Sequence, residues 1–497
     1  MHNELRANIK VISGLFIFFF SISAHALPID WHGVFGVDST LIDTFRKIEN
    51  PNSVNPVSSN TGSQEVDLAA GQHANASFQT YLVRLEPVII VNDSATIKGE
   101  ISTGYGRGGR LGENSGNILA NGAANSFYYY NNNDSTSSKN NLNFNQLYME
   151  LYSDTATYQI GRHSYHWGLG ALYNSGQDVW NRHLYIRDGL TLNFKIGNFE
   201  LAPFVAKLGT SDSLTRATKV REHGLSFLYD NSDRELKFGI MYVEKSNNSF
   251  NATTQSSAGG STLNLGKTDV EITDIYFNKK YGKFDFSLEV PLISGELGNV
   301  YSTASVAKYK AKAFLFDTTY KFNDSLTFGL NLGHVSGDAG GTSSFDAMFL
   351  NPNYQIANLM FRYNFMAVAN ASGANAQNIF DGSITNTKFL KLSAEYASEK
   401  SLWSGAFIYA TANEVASTGK QAYNHLANRT FTSNANQDSS YGFEIDLDYT
   451  YLWSNEVNFG FSTGYHFVGD YYAFNNQSNP NSTSNSYLVQ FKSSINF

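Results

Sequence analysis

Few side chains in this sequence could support catalysis or metal binding. Cysteine is absent, which excludes disulfides, thiolate ligands and a cysteine nucleophile. His163 and His166 lie three residues apart, but only the distant Asp178 could join them, so loop packing is a better interpretation than a metal site. An enzyme needs a nucleophile and a base brought together, and the scattered serines indicate no such pair. We therefore expect no catalytic site, no cofactor, no bound metal and no enzymatic activity.

A second group of residues mixes charge with aromatic rings between Ser164 and Asp188. Such a mixture suits a loop that folds into a lumen and contacts solutes there. A competing candidate is the segment 337–386, which carries the apolar, strand-like stretch Ile356 to Met366. The first candidate predicts a constriction loop whose charged residues are Asp178, Arg182, Arg187 and Asp188.

A third group consists of charged residues spaced along alternating segments, each opposite an apolar stripe. We expect them to line a pore, and the acids outnumber the bases, which predicts a weak preference for cations. The alternative is that these charges pair with one another and leave little selectivity. The predicted inward residues are Arg84, Glu86, Lys98, Glu100, Glu150, Lys195, Lys237, Asp285, Glu289, Lys391, Glu395, Glu444, Asp446, Asp448 and Lys492.

The segments that must position these residues alternate in polarity with a period of two. In Lys283 to Leu292 and in Val457 to Phe467, Phe, Tyr, Leu and Val oppose small or charged residues. Only 16% of the residues are charged, whereas 14% are aromatic. No helical periodicity interrupts the series, so nothing would cover an open sheet. The pattern predicts an all-β transmembrane antiparallel barrel, with lipid outside and water inside.

The lengths of the connections alternate as well, which sets the strand number. Short turns such as Asn92-Asp93-Ser94 separate strand pairs from long polar stretches, as in outer-membrane barrels. Nineteen candidate strands become eighteen when Ile356 to Met366 is assigned to an outer connection, because an even number is needed; sixteen or twenty remain open. The expected outer loops are 46–73, 106–139, 164–188, 246–267, 337–386, 412–440 and 469–484.

The two ends of the chain indicate its destination. Residues 1–26 have the basic start, the apolar stretch and the Ala24-His25-Ala26 site of a secretory signal peptide, which leaves 27–497 as the barrel. The chain closes on an alternating strand with Tyr487, Phe491 and Phe497 on one face. This ending resembles the terminal strand of bacterial outer-membrane proteins. That resemblance implies recognition of these aromatics by the barrel-assembly machinery.

The overall plan resembles Gram-negative outer-membrane barrels of the porin type. The stretch Gly161 to Gly170 is similar to a Gly-Arg…Trp-Gly-Leu-Gly segment of several porin-like families, and Phe345 to Tyr354 is distantly like alginate-export-type barrels. The resemblance implies a channel for passive diffusion of small hydrophilic solutes or ions, as a homotrimer or a monomer, in the cell outer membrane. A substrate-specific channel such as a polysaccharide exporter, or a structural or adhesive barrel, is the alternative. The net charge of −8 disfavours nucleic acid as a partner.

Three lysines continue a lipid-facing stripe of aromatics beyond the membrane. Lys308, Lys310 and Lys312 share the face of Phe314 and Phe316, and they should clear the hydrocarbon and reach the headgroups. Phosphates of lipopolysaccharide would be natural partners for these ammonium groups, together with the surrounding outer-membrane lipids. A slip in register at the rim would instead place the lysines at the pore mouth.

Overall fold

The structure of the protein is a computed structural model. It describes residues 28–49, 75–103, 107–110, 142–210, 219–247, 254–256, 262–264, 268–298, 306–341, 343–363, 379–425, 429–476 and 479–497. The predicted signal peptide 1–26 lies outside the described residues, as do most of the predicted outer loops 46–73 and 106–139 and much of 246–267.

Eighteen antiparallel strands form a closed barrel. Their bounds are β1 Ile29–Asp43, β2 Ala76–Asn92, β3 Ala95–Thr103, β4 Leu142–Tyr152, β5 Ala156–Ser164, β6 Ile186–Ile196, β7 Phe199–Thr210, β8 Lys219–Asn231, β9 Leu236–Asn247, β10 Thr268–Tyr281, β11 Phe284–Gly298, β12 Ala307–Lys321, β13 Leu326–Val335, β14 Thr387–Ala397, β15 Ser401–Ala412, β16 Ser440–Leu452, β17 Val457–Val468 and β18 Ser486–Asn496.

The first and last strands pair with each other and close the ring. The β1–β18 register runs from Val34 opposite Asn496 to Asp43 opposite Tyr487. The terminal residue completes the seam, because the amide of Gly33 donates to the carbonyl of Phe497 at 2.8 Å and the amide of Phe497 donates back at 3.0 Å. The predicted number of eighteen strands is therefore confirmed.

Two strands extend into polar sequence at the long-loop end. β8 begins at Lys219 and β12 begins at Ala307. These extensions consist largely of polar residues, so they lack the apolar alternation by which a strand is recognised. The described part of the stretch Ile356 to Met366 is not a strand. It lies in the connection between β13 and β14, as expected from a count of eighteen strands.

The outer face of the barrel is a band of exposed apolar side chains. Phe314 is 46% exposed, Leu447 42% and Phe491 59%, and each alternates along its strand with a residue directed into the barrel. Exposed aromatics in such a continuous band are typical of a surface that meets lipid. Among the described residues, no helix is long and apolar enough to cross a membrane.

The packed core lies inside the barrel, where long connections fold onto the inner wall. Met348, Leu350 and Met360 from the β13–β14 connection are at most 1% exposed and pack against small wall residues such as Ala311 and Ala410. Eighteen strands enclose a lumen too wide for wall side chains alone to fill. The loops therefore supply the filling.

Candidate channel constriction

The connection 165–185, between β5 and β6, crosses the lumen from one wall to the other; we name it the first crossing loop. One end is fixed to β1 and β2 through Arg182, and its Gly168–Leu169 turn is fixed to β11 through Glu289. β2 and β11 stand nine positions apart in a ring of eighteen, so they lie on opposite walls. A loop held at both walls must divide the cross-section of the pore.

Arg182 makes the attachment to β1 and β2. Its Nη2 lies 3.1 Å from Asp38 Oδ1 and donates to Thr80 Oγ1 at 2.7 Å, while Nη1 donates to the Tyr81 carbonyl at 3.0 Å. Its guanidinium stacks on the ring of Phe380, 4.2 Å from the centroid. Burial lowers the pKa of Arg182, opposed by Asp38, and the side chain remains the cation of this buried pair.

The Trp-Gly-Leu-Gly segment makes the opposite attachment. The amide of Leu169 donates to Glu289 Oε2, and the amide of Ala171 also bonds this carboxyl group. Gly168 has a φ of +58°, and a Cβ there would lie 2.5 Å from Glu289 Oε2. The positive φ and the close approach to Glu289 both favour glycine at this turn.

The connection 336–386, between β13 and β14, is a second crossing loop. The amide of Asn358 donates to Asp446 Oδ2 at 3.0 Å, and those of Leu359 and Met360 donate to Glu444 at 2.7 and 2.8 Å. Charged acceptors for backbone amides make strong attachments. These hydrogen bonds therefore fix the second crossing loop to β16 on the inner wall.

The two crossing loops contact each other inside the barrel. The amide of Asn351 donates to the Ala171 carbonyl at 2.6 Å, Asn353 Nδ2 donates to the His183 carbonyl at 2.8 Å, and His183 Nε2 lies 2.7 Å from Asp381 Oδ1. From the sequence, the two loops are competing candidates for the constriction. In the structure both lie in the lumen and contact each other.

The predicted pore-lining residues all lie on the inner face of their strands, but they divide into two groups. Covered by the loops or by neighbouring side chains are Arg84, Glu100, Glu150, Glu289, Glu444 and Asp446. More accessible are Glu86, Lys98, Lys195, Lys237, Asp285, Lys391, Glu395, Asp448 and Lys492. The covered group holds five acids and one base, so the accessible remainder is nearly balanced in charge.

Most members of the covered group hold a loop segment. Arg84 Nη1 donates to the Gly176 carbonyl at 2.9 Å. Glu100 accepts from Arg107 Nε at 2.8 Å and Nη2 at 2.6 Å, and Arg107 in turn reaches the carbonyl of Asn181 at 3.1 Å. These wall charges are attachment points for the first crossing loop and its surroundings.

The four residues predicted for the constriction loop have different positions. Asp178 is exposed and accepts from Asn181 Nδ2 at 3.2 Å, and Arg182 is the wall attachment. Arg187 belongs to β6, where its guanidinium lies between the rings of Tyr165 and Phe204, 3.6 and 3.4 Å from their centroids.

The placement of Asp188 in the constriction is wrong. Asp188 lies in β6 on the outer face shared with Leu190 and Leu192, because side chains alternate along a strand. There it forms a bidentate pair with Arg162, with both N–O distances 2.7 Å.

The residues considered for other chemistry have structural positions. His163 is buried, with Nε2 2.8 Å from Thr191 Oγ1, whereas His166 is exposed. Among the described residues, no group of three His, Asp or Glu side chains could hold a metal ion. Residues 460–464 do have the Gly-x-Ser-x-Gly spacing of a nucleophile turn. However, Ser462 lies in the middle of strand β17, where Lys492 Nζ donates to it at 3.3 Å.

Sequence reasoning missed the partners of these residues. Asp38 accepts from Thr40 Oγ1 at 3.2 Å and from Gln490 Nε2 at 3.3 Å, besides Arg182 and Thr80. Glu222, beneath Arg187 and Tyr185, was also missed. Each partner lies far away in the chain, and only the pairing of strands and the path of the loop bring them together.

No family model and no curated protein sequence matches this chain. Solved structures do match. A BenF-like porin from Pseudomonas fluorescens Pf-5 has a TM-score of 0.50 at 11% identity, covering 94% of this chain and 98% of that one. Pseudomonas aeruginosa OccK8 (OprE) gives 0.47 at 10% identity, with 94% and 98% covered, and Vibrio cholerae OmpT gives 0.39 at 10%, with 96% and 99% covered. At 11% identity, the likeness to the BenF-like porin shows the fold alone.

Proposed function

We propose that the protein is a porin-like channel of the cell outer membrane, through which small hydrophilic solutes diffuse passively. The observation that carries this proposal is a wide closed barrel with an apolar outer band, narrowed by a first loop attached to opposite walls and by a second loop that is attached to β16 and contacts the first. In outer-membrane barrels the short turns face the periplasm and the long loops face outward, and we assign the same orientation to this barrel. We expect such an architecture to serve transport rather than catalysis.

The narrowing favours small solutes over a polymer. The first and second crossing loops meet in the lumen through Asn351 and Asn353, so their described segments occupy part of the path along the barrel axis. A polysaccharide exporter would need an extended clear path, and a structural barrel would not need an internal loop between opposite walls. The geometry therefore supports a channel that selects solutes by size.

The charges inside support little selectivity between cations and anions. Several accessible wall charges are paired: Lys237 with Asp230 at 2.9 Å and Lys280 with Asp285 at 3.6 Å, and Lys98 also contacts Glu150. Five of the nine acids behind the predicted cation preference are covered by loops or by neighbouring side chains. Paired and covered charges impose only a small field on the solute path.

Planar-bilayer recording tests the proposal. The purified barrel should give discrete conductance steps, and liposomes containing it should swell in small sugars but not in large ones. Replacing residues 346–383 by a short Gly-Ser linker should raise both the conductance and the size limit. A correctly folded barrel that gives no steps would overturn the channel function, and unchanged conductance after loop removal would overturn the role of that loop.

A further inference from the structure

The outer face carries basic side chains at the long-loop edge of the apolar band. Lys310 and Lys312 lie on β12 and Lys388 lies on β14, and all three are exposed. His334 on β13 stands between them, since it is opposite Phe314 on one side and Lys388 on the other. Four basic side chains thus occupy the outer surface of three neighbouring strands; we name them the outer basic cluster.

The cluster sits where hydrocarbon gives way to headgroups. On each strand the next outward-facing residue toward the barrel centre is apolar: Phe314 below Lys312, Leu332 below His334 and Leu390 below Lys388. Phe314 and Leu332 are 46% and 38% exposed, as expected for residues that meet lipid. A lysine costs roughly 2–4 kcal/mol at the bilayer midplane but only about 0–1 kcal/mol near the interface, so this position accepts the charges.

The lysines of the cluster have carboxylates in their surroundings but no ion-pair partner among the described residues. Within the described part of the chain, no carboxylate forms an ion pair with Lys310, Lys312 or Lys388, although Asp269 and Glu271 line the same surface groove as Lys310. Lys308 differs, because it pairs with Glu296. The spacing along one strand groups Lys308 with Lys310 and Lys312. The contribution of His334 on β13 and Lys388 on β14 to the same surface depends on strand pairing and cannot be predicted from that spacing.

We propose that the outer basic cluster binds the phosphates of lipopolysaccharide. Unpaired lysines on β12 and β14, the two neighbours of β13, repel one another unless an anion lies between them, and lysine is a good point-charge partner for phosphate. The cluster faces the lipid rather than the pore, which selects a phosphorylated lipid over a soluble phosphate. The inference rests on the outer-membrane location but not on the channel activity.

The test compares two triple variants of the full barrel. Lys310→Ser/Lys312→Ser/Lys388→Ser removes the cluster, and Lys195→Ser/Lys237→Ser/Lys280→Ser removes the same charge from the inner wall. Each lysine near an anionic lipid surface contributes about fivefold to binding, so the first variant should bind lipopolysaccharide about a hundredfold more weakly. Co-purified lipopolysaccharide per barrel should fall in the first variant and not in the second.

Ion selectivity should stay unchanged in the first variant, since the cluster is outside the pore. Equal lipopolysaccharide in both variants, or a shift in selectivity with unchanged lipid, would overturn the proposal. If the triple variant does not fold, the wild-type barrel can be titrated in detergent with lipopolysaccharide before and after removal of the lipid A phosphates. Equal binding of the two forms would also overturn it.

Discussion

Replacing Arg182 by methionine tests whether the first crossing loop depends on its attachment to β1 and β2. The change removes the contacts to Asp38, Thr80 and the Tyr81 carbonyl and the stacking on Phe380, while it keeps much of the side-chain volume. Removing one partner of a buried ion pair costs about 3–5 kcal/mol.

The low end of that range applies here. Asp38 would still accept hydrogen bonds from Thr40, Thr80 and Gln490, so its carboxylate would keep part of its solvation. A loss of about 3 kcal/mol would raise the detached population of the loop about a hundredfold. Because the turn at Gly168 and Leu169 remains fixed to Glu289, the loop should detach at one end only.

Single-channel recording measures the outcome. Arg182→Met should give a larger and noisier conductance, and its loop should be cut faster by an added protease. The double variant Asp38→Asn/Arg182→Met should recover much of the lost stability, because it leaves no unpaired buried charge. Arg234→Met, at an exposed short turn, is the matched control. If Arg182→Met has wild-type conductance and protease resistance, the attachment has no role in holding the loop.

Three further variants test other contacts of the barrel. Glu444→Gln should weaken the bonds from Leu359 and Met360 by about 1–2 kcal/mol and increase current fluctuations, whereas Glu395→Gln should not. Burial lowers the pKa of His425 to about 3, and its Nε2 accepts from the Asp338 amide at 2.9 Å. The neutral imidazole is therefore the folded form, and its contribution, complete above pH about 6.5, should fall by ~1.4 kcal/mol per pH unit toward pH 3. Protection of loop amides from hydrogen exchange should show this loss, and His425→Gln should remove its pH dependence. Gly33→Ala would place a Cβ 2.6 Å from the Phe497 ring and lower the yield of heat-resistant barrel, whereas Gly405→Ala, with 3.9 Å to its nearest atom, should not.

The wall of this barrel could be predicted from sequence because it depends on a local rule. Alternation along a strand decides which side chains face lipid, and the inward placement of residues such as Glu289 and Glu444 follows from it. Applied to the start of β6, the same rule also places Asp188 on the outer face. Parity then corrected the strand count without any structural information.

The interior could not be predicted in the same way, because its contacts join residues far apart in the chain. Arg182 meets Asp38 across 144 residues, and Leu169 meets Glu289 across 120. No periodicity in the sequence indicates which part of the inner wall a loop contacts. The Trp-Gly-Leu-Gly segment can be recognised in the sequence, but its role as a turn that presents amides to a carboxylate depends on the opposite wall.

An inward charge is therefore not the same as a charge that a solute meets, and this distinction makes a final prediction. Glu444 and Asp446 are bonded to the amides of the second crossing loop, which cover them. Replacing residues 346–383 by a short linker should expose both carboxylates beside Asp448 and leave three adjacent acids on one strand facing water.

The shortened channel should then prefer cations more strongly than the native one, in addition to conducting better. Reversal potentials in a salt gradient measure this directly. The same deletion combined with Glu444→Gln/Asp446→Asn is the control, and it should keep the higher conductance but lose the added cation preference. If the simple deletion conducts better without any change in reversal potential, the covered carboxylates do not set the field of the lumen.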